Sequence, residues 1–171
     1  MTLTLTLSAL PSPIGPLALA CDSTGRLRGV SFGDGLGRAM RREYPDAAFV
    51  EGHPPAAVSE ALDGYFSGDR EALRRTPWSL EGAVASNGFQ ARVWKALAEV
   101  PTGETISYGE MAKRAGEPGA AQAAGVALNR NPIPLVLPCH RVVGADGAMV
   151  GFGGGLERKT WLLRHEGALL L

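Results

Sequence analysis

The residues best suited to chemistry stand next to one another in the segment Pro138-Cys139-His140-Arg141. A thiol beside an imidazole is a candidate nucleophile, because a neighbouring imidazole or cation can lower a cysteine pKa from about 8.5 by several units. Apolar runs flank the segment at residues 135–137 and 142–143. They predict a buried strand or strand-like stretch that breaks into a cleft at the polar residues. A structural cysteine is the alternative, since free cysteines are among the most frequently buried residues.

Composition and charge narrow the class of protein. The chain has 171 residues, 45% of them hydrophobic, and its 17 basic and 17 acidic residues give a net charge of zero. This length fits one domain or two small ones, and zero net charge lacks the overall basic character of many nucleic-acid-binding proteins. No apolar run approaches the roughly 20 residues of a membrane span. Residues 1–7 alternate as a strand does and lack the basic start of a signal peptide.

The two cysteines, Cys21 and Cys139, are far apart and form neither a CxxC pair nor a metal-ligand spacing. We therefore expect no metal site and a reduced protein in the cytoplasm, with a disulfide between the two as the alternative. Cys21 falls at the end of a predicted strand, where packing is the favoured role.

The first half of the sequence predicts an α/β domain at residues 1–80. Apolar and polar residues alternate over the strands, and residues 22–25 form a good turn between the second and third. The second helix has an apolar stripe of helical period and ends near Gly68. The predicted elements are strands at 2–7, 17–21, 27–32 and 47–50, a helix at 35–44, and a second helix between Pro55 and Gly68. Residues 69–87 have no strong period and predict a linker.

The second half, residues 85–171, predicts a mainly α domain. Ser86 or Asn87 can cap its first helix. Ser107 and Glu110 have the spacing of a capping box at the start of a second, short helix. With the helix that follows, this makes a helix-turn-helix candidate, or alternatively an ordinary packed helix pair.

The third helix of this half is predicted at residues 119–130, with Pro118 at its first position. Its side chains are nearly all small, whereas reading base edges in the major groove takes long polar side chains. If this helix meets DNA, we expect shape-based contact in the minor groove. Arg130 and the pair Lys113-Arg114 could then contact phosphates.

The last helix is predicted at residues 156–165, with Gly167 just beyond its C-terminus. Glu166 stands at that end, where an acid opposes the helix dipole. A hydrogen bond to His140 would explain its position.

Five groups of residues together resemble one family, the O6-alkylguanine-DNA alkyltransferases. The resemblance runs without a gap from about Phe89 to Gly167, and the N-terminal half matches in outline. Its most specific part is the Pro-Cys-His-Arg-Val block with an Asn-Pro upstream. The matching groups are Gly103-Glu104-Thr105-Ile106-Ser107-Tyr108, Asn131-Pro132-Ile133-Pro134, Pro138-Cys139-His140-Arg141-Val142-Val143, Gly153-Gly154-Gly155-Leu156 and His165-Glu166-Gly167.

The resemblance implies a ribonuclease-H-like α/β domain, then a mainly α, winged-helix-like helix-turn-helix domain that enters the minor groove of double-stranded DNA. A damaged guanine would be rotated out of the base stack into a pocket beside the cysteine. The protein would move an alkyl group from O6-alkylguanine, and less readily from O4-alkylthymine, to its own sulfur. The thioether product has no electrophilic carbonyl for water to attack. A single turnover is therefore implied, by a monomer without a cofactor.

The resemblance also implies roles for individual residues. Cys139 is the alkyl acceptor, and Glu166, His140 and a water form the relay that deprotonates it. Asn131 braces the turn of the active-site segment, and Tyr108 helps to rotate the nucleotide and donates a hydrogen bond to guanine N3. The implied substrate-binding and DNA-binding residues are Gln122, Leu128, Arg130, Arg141 (in a mainly structural role), Val142, Phe152 and Gly153.

Three of these positions depart from the family pattern. Gln122 stands where an arginine usually fills the space left by the rotated base, so we expect weaker DNA binding than in typical relatives. Phe152 replaces a tyrosine of the pocket loop, which changes lesion preference. Gly153 replaces a frequent serine but keeps the backbone amide that, with the carbonyls of Cys139 and Val142, would face the guanine edge.

Two other functions compete with alkyl transfer. A thiol hydrolase would also use adjacent Cys139 and His140 with Glu166 as the orienting carboxylate, but it leaves the helix pair unexplained. A non-transferring DNA-binding protein that only flags alkylated bases is the second alternative. The presence of Cys139 argues for transfer, and the glutamine at Gln122 keeps the second alternative open.

Overall fold

A computed structural model describes residues 2–85 and 88–169 of the chain. These residues form two compact units. The first consists of Met1–Ser86 together with Pro132–Val136, and the second consists of Asn87–Asn131 together with Leu137–Leu171. The short segment that leads into Pro138-Cys139-His140 therefore packs with the first unit.

The first unit is built on a four-stranded mixed sheet in the order β3-β2-β1-β4. β1 pairs antiparallel with β2, which pairs antiparallel with β3, and β4 adds to β1 in parallel. Leu5 of β1 and Ala20 of β2 pack with Met40 of the first helix in the core. The elements are β1 (Thr4–Leu10), β2 (Leu17–Cys21), β3 (Leu27–Ser31), α1 (Leu36–Glu43), β4 (Ala48–Glu51), α2 (Ala56–Phe66) and α3 (Ala72–Arg75).

The predicted turn between β2 and β3 is confirmed and depends on the Asp22 side chain. Asp22 Oδ1 accepts hydrogen bonds from the amides of Thr24 and Arg26, at 2.9 and 3.1 Å, and from Thr24 Oγ1 at 2.7 Å. Gly25 completes the turn at φ +85°, a conformation that glycine adopts without steric cost.

The predicted linker at 69–87 is wrong for residues 69–85. This stretch contains α3 and then lies along β3, where the Leu27 amide donates to the Pro77 carbonyl and the Ser79 amide donates to the Leu27 carbonyl. Ala83 joins the core of the first unit. The sequence suggested a linker because the stretch lacks a period, yet irregular chain packs well when its backbone groups find partners on a strand edge.

The second unit is a helical domain with one short parallel strand pair, β5 with β6. Trp94 is fully buried, and its Nε1 donates a 2.8 Å hydrogen bond to the Ala127 carbonyl, which joins α4 to α6. The elements are α4 (Phe89–Leu97), β5 (Ile106–Ser107), α5 (Tyr108–Arg114), α6 (Ala121–Asn129), β6 (Val142–Val143) and α7 (Leu156–His165).

The helix starts show which capping predictions hold. Ser107 Oγ accepts from the Glu110 amide at 3.0 Å, so the predicted cap of α5 is confirmed. Pro118 does not begin α6, which starts at Ala121 after a turn. The predicted caps Ser86 and Asn87 lie outside the described residues.

The chain before Cys139 is not the predicted strand. It makes a turn in which Leu135 is fully buried at φ +78°, unusual for a residue other than glycine. Residues Cys139–Arg141 then form one 3₁₀ turn that enters β6. The apolar pattern predicted burial correctly, but burial alone does not distinguish a strand from a packed turn.

Candidate active site

The 3₁₀ turn sets Cys139, His140 and Arg141 on three sides of one backbone turn. Cys139 is partly exposed, whereas the other two side chains are buried. The Cys139 amide donates to the Leu137 carbonyl at 2.8 Å, and the Arg141 amide donates to the Pro138 carbonyl at 3.0 Å. The tight turn therefore leaves Cys139 partly exposed while the side chains of its two neighbours are buried.

The predicted hydrogen bond between His140 and Glu166 is present. His140 Nε2 lies 2.7 Å from Glu166 Oε2, and both side chains are fully buried. An ionised carboxylate only accepts hydrogen bonds, so Nε2 carries the proton and Nδ1 carries the lone pair. His140 Nδ1 makes no hydrogen bond with any described residue. The imidazole is thus oriented by Glu166 with its basic nitrogen available.

Arg141 neutralises the same carboxylate. Its Nε and one terminal nitrogen donate to the two Glu166 oxygens at 2.8 and 3.0 Å, and the other terminal nitrogen donates to the Val100 carbonyl at 2.7 Å. Burial raises the pKa of the Glu166 carboxyl, but its contacts with His140 and Arg141 outweigh burial and hold the pKa below its ordinary value. The Arg141 side chain is therefore buried in contacts with Glu166 and Val100, which fits the structural role predicted for it.

Lys159 is a member of the site that the sequence prediction missed. It is fully buried in α7, and its Nζ donates to the carbonyls of Val142 and Val150 at 2.7 and 2.8 Å. Its charge lowers the pKa of Cys139. A lysine in the first turns of a helix is typically exposed to solvent, and the residues next to Lys159 in sequence do not indicate that it is buried.

Asn131 and Tyr108 occupy the flanks of the site. Asn131 Nδ2 donates to the Leu137 carbonyl at 2.7 Å and so joins the two ends of the turn that precedes Cys139. Tyr108, the first residue of α5, places its hydroxyl 3.2 Å from the Val150 carbonyl oxygen.

The His140 imidazole does not hold the pKa of Cys139 below its ordinary value. Burial raises the pKa of Cys139 to about 11, although a hydrogen bond from Asn131 and the charge of Lys159 oppose it. His140 supplies no positive charge, because burial lowers its pKa below the ordinary value and the ring stays neutral near pH 7. The resting site is therefore a neutral thiol beside a neutral imidazole.

The DNA-binding residues implied by the resemblance fall into two groups. Gln122 is exposed on α6, Arg130 is partly exposed at its end, and Gly153 is exposed. By contrast, Leu128 is buried on the inner face of α6. Phe152 is partly buried, and its ring packs edge-on at 6.4 Å from the His140 ring.

Val142, the remaining predicted substrate contact, is fully buried in β6. Only its backbone is suited to the predicted role, and its carbonyl already accepts from Lys159.

Within residues 2–85 and 88–169, no cluster of three His, Cys, Asp or Glu residues is arranged to hold a metal ion. Over the same residues, no helix is both long and apolar enough to cross a membrane.

Two family models match the chain, one for each unit. The model described as the ribonuclease-like domain of 6-O-methylguanine DNA methyltransferase matches residues 5–80. The model described as the DNA binding domain of the same protein matches residues 88–168. The predicted fold class, a ribonuclease-like α/β domain followed by a helical DNA-binding domain, is confirmed.

Individual relatives agree with the family models. A methylated-DNA–protein-cysteine methyltransferase of Salmonella typhimurium is 40% identical over 167 residues, which is 95% of each chain. One of Mycobacterium leprae is 44% identical over 160 residues, or 92% of this chain and 90% of that protein. The crystal structure of Mycobacterium tuberculosis OGT in complex with DNA is 36% identical, with a TM-score of 0.74 over 96% of this chain and 93% of that one. The chain therefore belongs to the 6-O-methylguanine DNA methyltransferase family.

Proposed function

We propose that this protein repairs DNA by transferring the alkyl group of O6-alkylguanine, and less readily of O4-alkylthymine, to Cys139 in a single turnover. One observation supports the chemistry most directly. The 2.7 Å contact between His140 and Glu166 orients a neutral imidazole whose basic nitrogen has no partner among the described residues. The family membership of the chain supports the substrate class.

The raised pKa of Cys139 determines how the reaction begins. At pH 7 the thiol is protonated, so its proton must leave as the sulfur attacks. His140 Nδ1 accepts this proton through a water, and Glu166 and Arg141 hold the ring in the tautomer that can accept it. A neutral thiol in the resting state also limits side reactions with other electrophiles, since the thiolate is the reactive form.

Transfer forms a bond between Cys139 Sγ and the alkyl carbon as the bond from that carbon to guanine O6 breaks. Guanine leaves with the bonding electron pair, and a proton from Tyr108 or water stabilises the departing base. The cysteine becomes a thioether, which water does not hydrolyse. The protein is consumed, and no cofactor takes part in the step.

The partner is double-stranded DNA bound through its minor groove by α6. Gln122, Val126 and Asn129 lie on the exposed face of this helix, whose small side chains allow close approach to the DNA backbone. Arg130 contacts a phosphate, and the backbone groups of Gly153 and Cys139 face the rotated base. The protein acts as a cytoplasmic monomer, with functional domains at residues 1–80 and 85–171.

The test is intact-protein mass spectrometry after incubation with duplex DNA that contains O6-methylguanine. We expect a mass gain of one methylene per protein molecule, absent in Cys139→Ala. Binding without any mass gain would point to a protein that only flags lesions. Repeated turnover of an ester substrate would point to a thiol hydrolase.

A further inference from the structure

Tyr108 links the helix-turn-helix pair to the segment that covers the active site. Its ring lies against α6 at Gly125, where an added Cβ would be 3.9 Å from ring carbons Cδ1 and Cε1. Its hydroxyl donates to the carbonyls of Val150 and Gly151, at 3.2 and 3.4 Å. We call residues 150–155 the covering segment, because Phe152 within it packs edge-on against the His140 ring.

Each end of the covering segment has a different kind of support. Near its start, the Val150 carbonyl also accepts from Lys159 Nζ at 2.8 Å. At its far end, the Gly155 amide donates to the Phe152 carbonyl at 2.9 Å, just before α7. Four of its six residues are glycines, and glycine-rich backbone rearranges at low steric cost. Tyr108 therefore contributes the contact that can be exchanged, while Lys159 keeps the start of the segment in place.

We infer that Tyr108 is a latch: its single hydroxyl proton holds the covering segment against His140, the residue next to Cys139, until a substrate base accepts a hydrogen bond from that hydroxyl. The inference rests on the proposed function and on the role that the family resemblance implies for Tyr108, donation of a hydrogen bond to guanine N3. A phenol has one proton to donate. The closed segment and the bound base therefore compete for the same donor, and arrival of the base releases the segment.

The hydrogen bonds from the Tyr108 hydroxyl to the Val150 and Gly151 carbonyls have the geometry of weak contacts that break often. One proton shared between two acceptors at 3.2 and 3.4 Å makes a weaker hydrogen bond than a single contact near 2.8 Å. Both contacts are exposed, so water can replace them. A guanine ring nitrogen in line with the hydroxyl offers a better acceptor than either carbonyl.

The latch predicts opposite effects of Tyr108→Phe in two assays. Transfer from methylated DNA becomes slower, because the base loses its donor. Reaction of Cys139 with a small neutral alkylating agent, which needs no base rotation, becomes faster because the covering segment opens more often. An ordinary hydrogen bond corresponds to about a fivefold change in population, so this weaker one should give about two- to fivefold.

The experiment measures Cys139 modification by iodoacetamide and by the bulkier N-phenylmaleimide, with peptide mapping to separate Cys139 from Cys21. Tyr44→Phe is the matched control, because it removes a buried hydroxyl that belongs to the first unit. Tyr108→Phe should accelerate both reagents, and the bulkier one more, because it needs the wider opening. Tyr44→Phe should leave both rates unchanged.

Three outcomes would overturn the latch. Unchanged or slower modification in Tyr108→Phe would show that the hydroxyl does not restrain the segment. An equal acceleration for both reagents would show an electrostatic effect on the thiol instead of opening. Acceleration in Tyr44→Phe as well would show a general loosening of the fold. In each case, transfer from DNA by the wild-type protein reports separately on the proposed function.

Discussion

Each unit has a cysteine close in sequence to one member of a buried carboxylate–guanidinium pair, but only the second unit adds a histidine bonded to that carboxylate. In the first unit, Cys21 precedes Asp22, whose Oδ2 lies 2.8 Å from Arg28 Nε. In the second, Cys139 is two positions before Arg141, whose Nε lies 2.8 Å from Glu166 Oε1. Both ion pairs are shielded from water.

The surroundings of the two thiols differ in access and in proton acceptors. Burial, together with the neighbouring charge of Asp22, raises the pKa of Cys21 to about 12. Burial also raises the pKa of Cys139, but Asn131 and Lys159 oppose it and the value is about 11. Cys21 is almost completely buried, whereas Cys139 is partly exposed.

A cavity of about 750 Å³ lies beside the ion pair of the first unit and is lined by Asp22, Arg28 and Tyr44, but not by Cys21. Three features distinguish Cys139 from Cys21: partial exposure, an oriented imidazole next in sequence, and a positive charge that lowers the thiol pKa. Each can be removed separately.

The largest expected effect separates the two cysteines. Cys139→Ala should abolish the mass gain on incubation with O6-methylguanine DNA, because it removes the atom that accepts the alkyl group. Cys21→Ala should retain a gain of one methylene per molecule. Intact-protein mass spectrometry of both variants measures this, and loss of transfer in folded Cys21→Ala would contradict the comparison.

The second prediction compares the two carboxylates. Glu166→Gln should slow transfer by about 100-fold or more, since the relay loses its orienting charge. The substitution should also lower the free energy of unfolding by about 3 to 5 kcal/mol, because the buried charge of Arg141 loses the carboxylate that neutralises it. Asp22→Asn should cause a similar loss of stability at an unchanged rate per folded molecule. Single-turnover kinetics and urea unfolding measure the two quantities.

The third prediction concerns the buried lysine. Lys159→Met keeps the length of the side chain but removes a charge that lowers the pKa of Cys139. We expect the thiol pKa to rise and transfer to slow by about tenfold, the equivalent of one pKa unit. Iodoacetamide rates at several pH values report the change in the thiol directly. A variant that transfers at the wild-type rate would exclude Lys159 from the reaction.

The fourth prediction tests the departure at Gln122. Gln122→Arg adds a positive charge to the exposed face of α6 and should tighten DNA binding by about three- to tenfold, with a steeper salt dependence. Ala57→Arg places the same charge on exposed α2 of the first unit and is the control. Fluorescence-anisotropy titrations at two salt concentrations compare the DNA affinities of both variants with that of the wild-type protein. Equal affinities of Gln122→Arg and the wild-type protein would contradict the proposal that Gln122 weakens DNA binding.

The smallest effect is on stability in acid. The folded protein holds the pKa of His140 below its ordinary value, so protons bind the unfolded chain first as pH falls below about 6.5. Although burial raises the pKa of Asp22, hydrogen bonds from Thr24, Arg26 and Arg28 lower it to about 2, so its stabilisation is lost between about pH 4 and 2.

Stability should therefore decline in two stages, of which His140→Gln removes the first and Asp22→Asn reduces the second, to which Glu166 also contributes. Urea unfolding across this pH range tests the assignment. An unaltered pH profile in both variants would show that other groups control acid stability.

Much of this organisation follows from local sequence. Alternation predicted β1, β2 and β3, the turn residues predicted the Asp22 turn, and the Ser107 cap and the bounds of α7 followed from helix signals. These features depend on a few neighbouring residues, so the sequence carries them directly. The spacing of Cys139, His140 and Glu166, together with the surrounding motifs, was also enough to predict the family.

Tertiary structure decided what these residues can do. The burial of Lys159, the inward position of Leu128 and the turn at Leu135 depend on which surfaces pack around them, and no local pattern encodes that. The protonation states of Cys139 and His140 depend likewise on desolvation and on charges brought from distant parts of the chain. The sequence by itself determined which chemical groups are present and to which family the chain belongs. The fold determined that the Cys139 thiol and the His140 imidazole are both neutral at rest, because burial penalises the charged form of each.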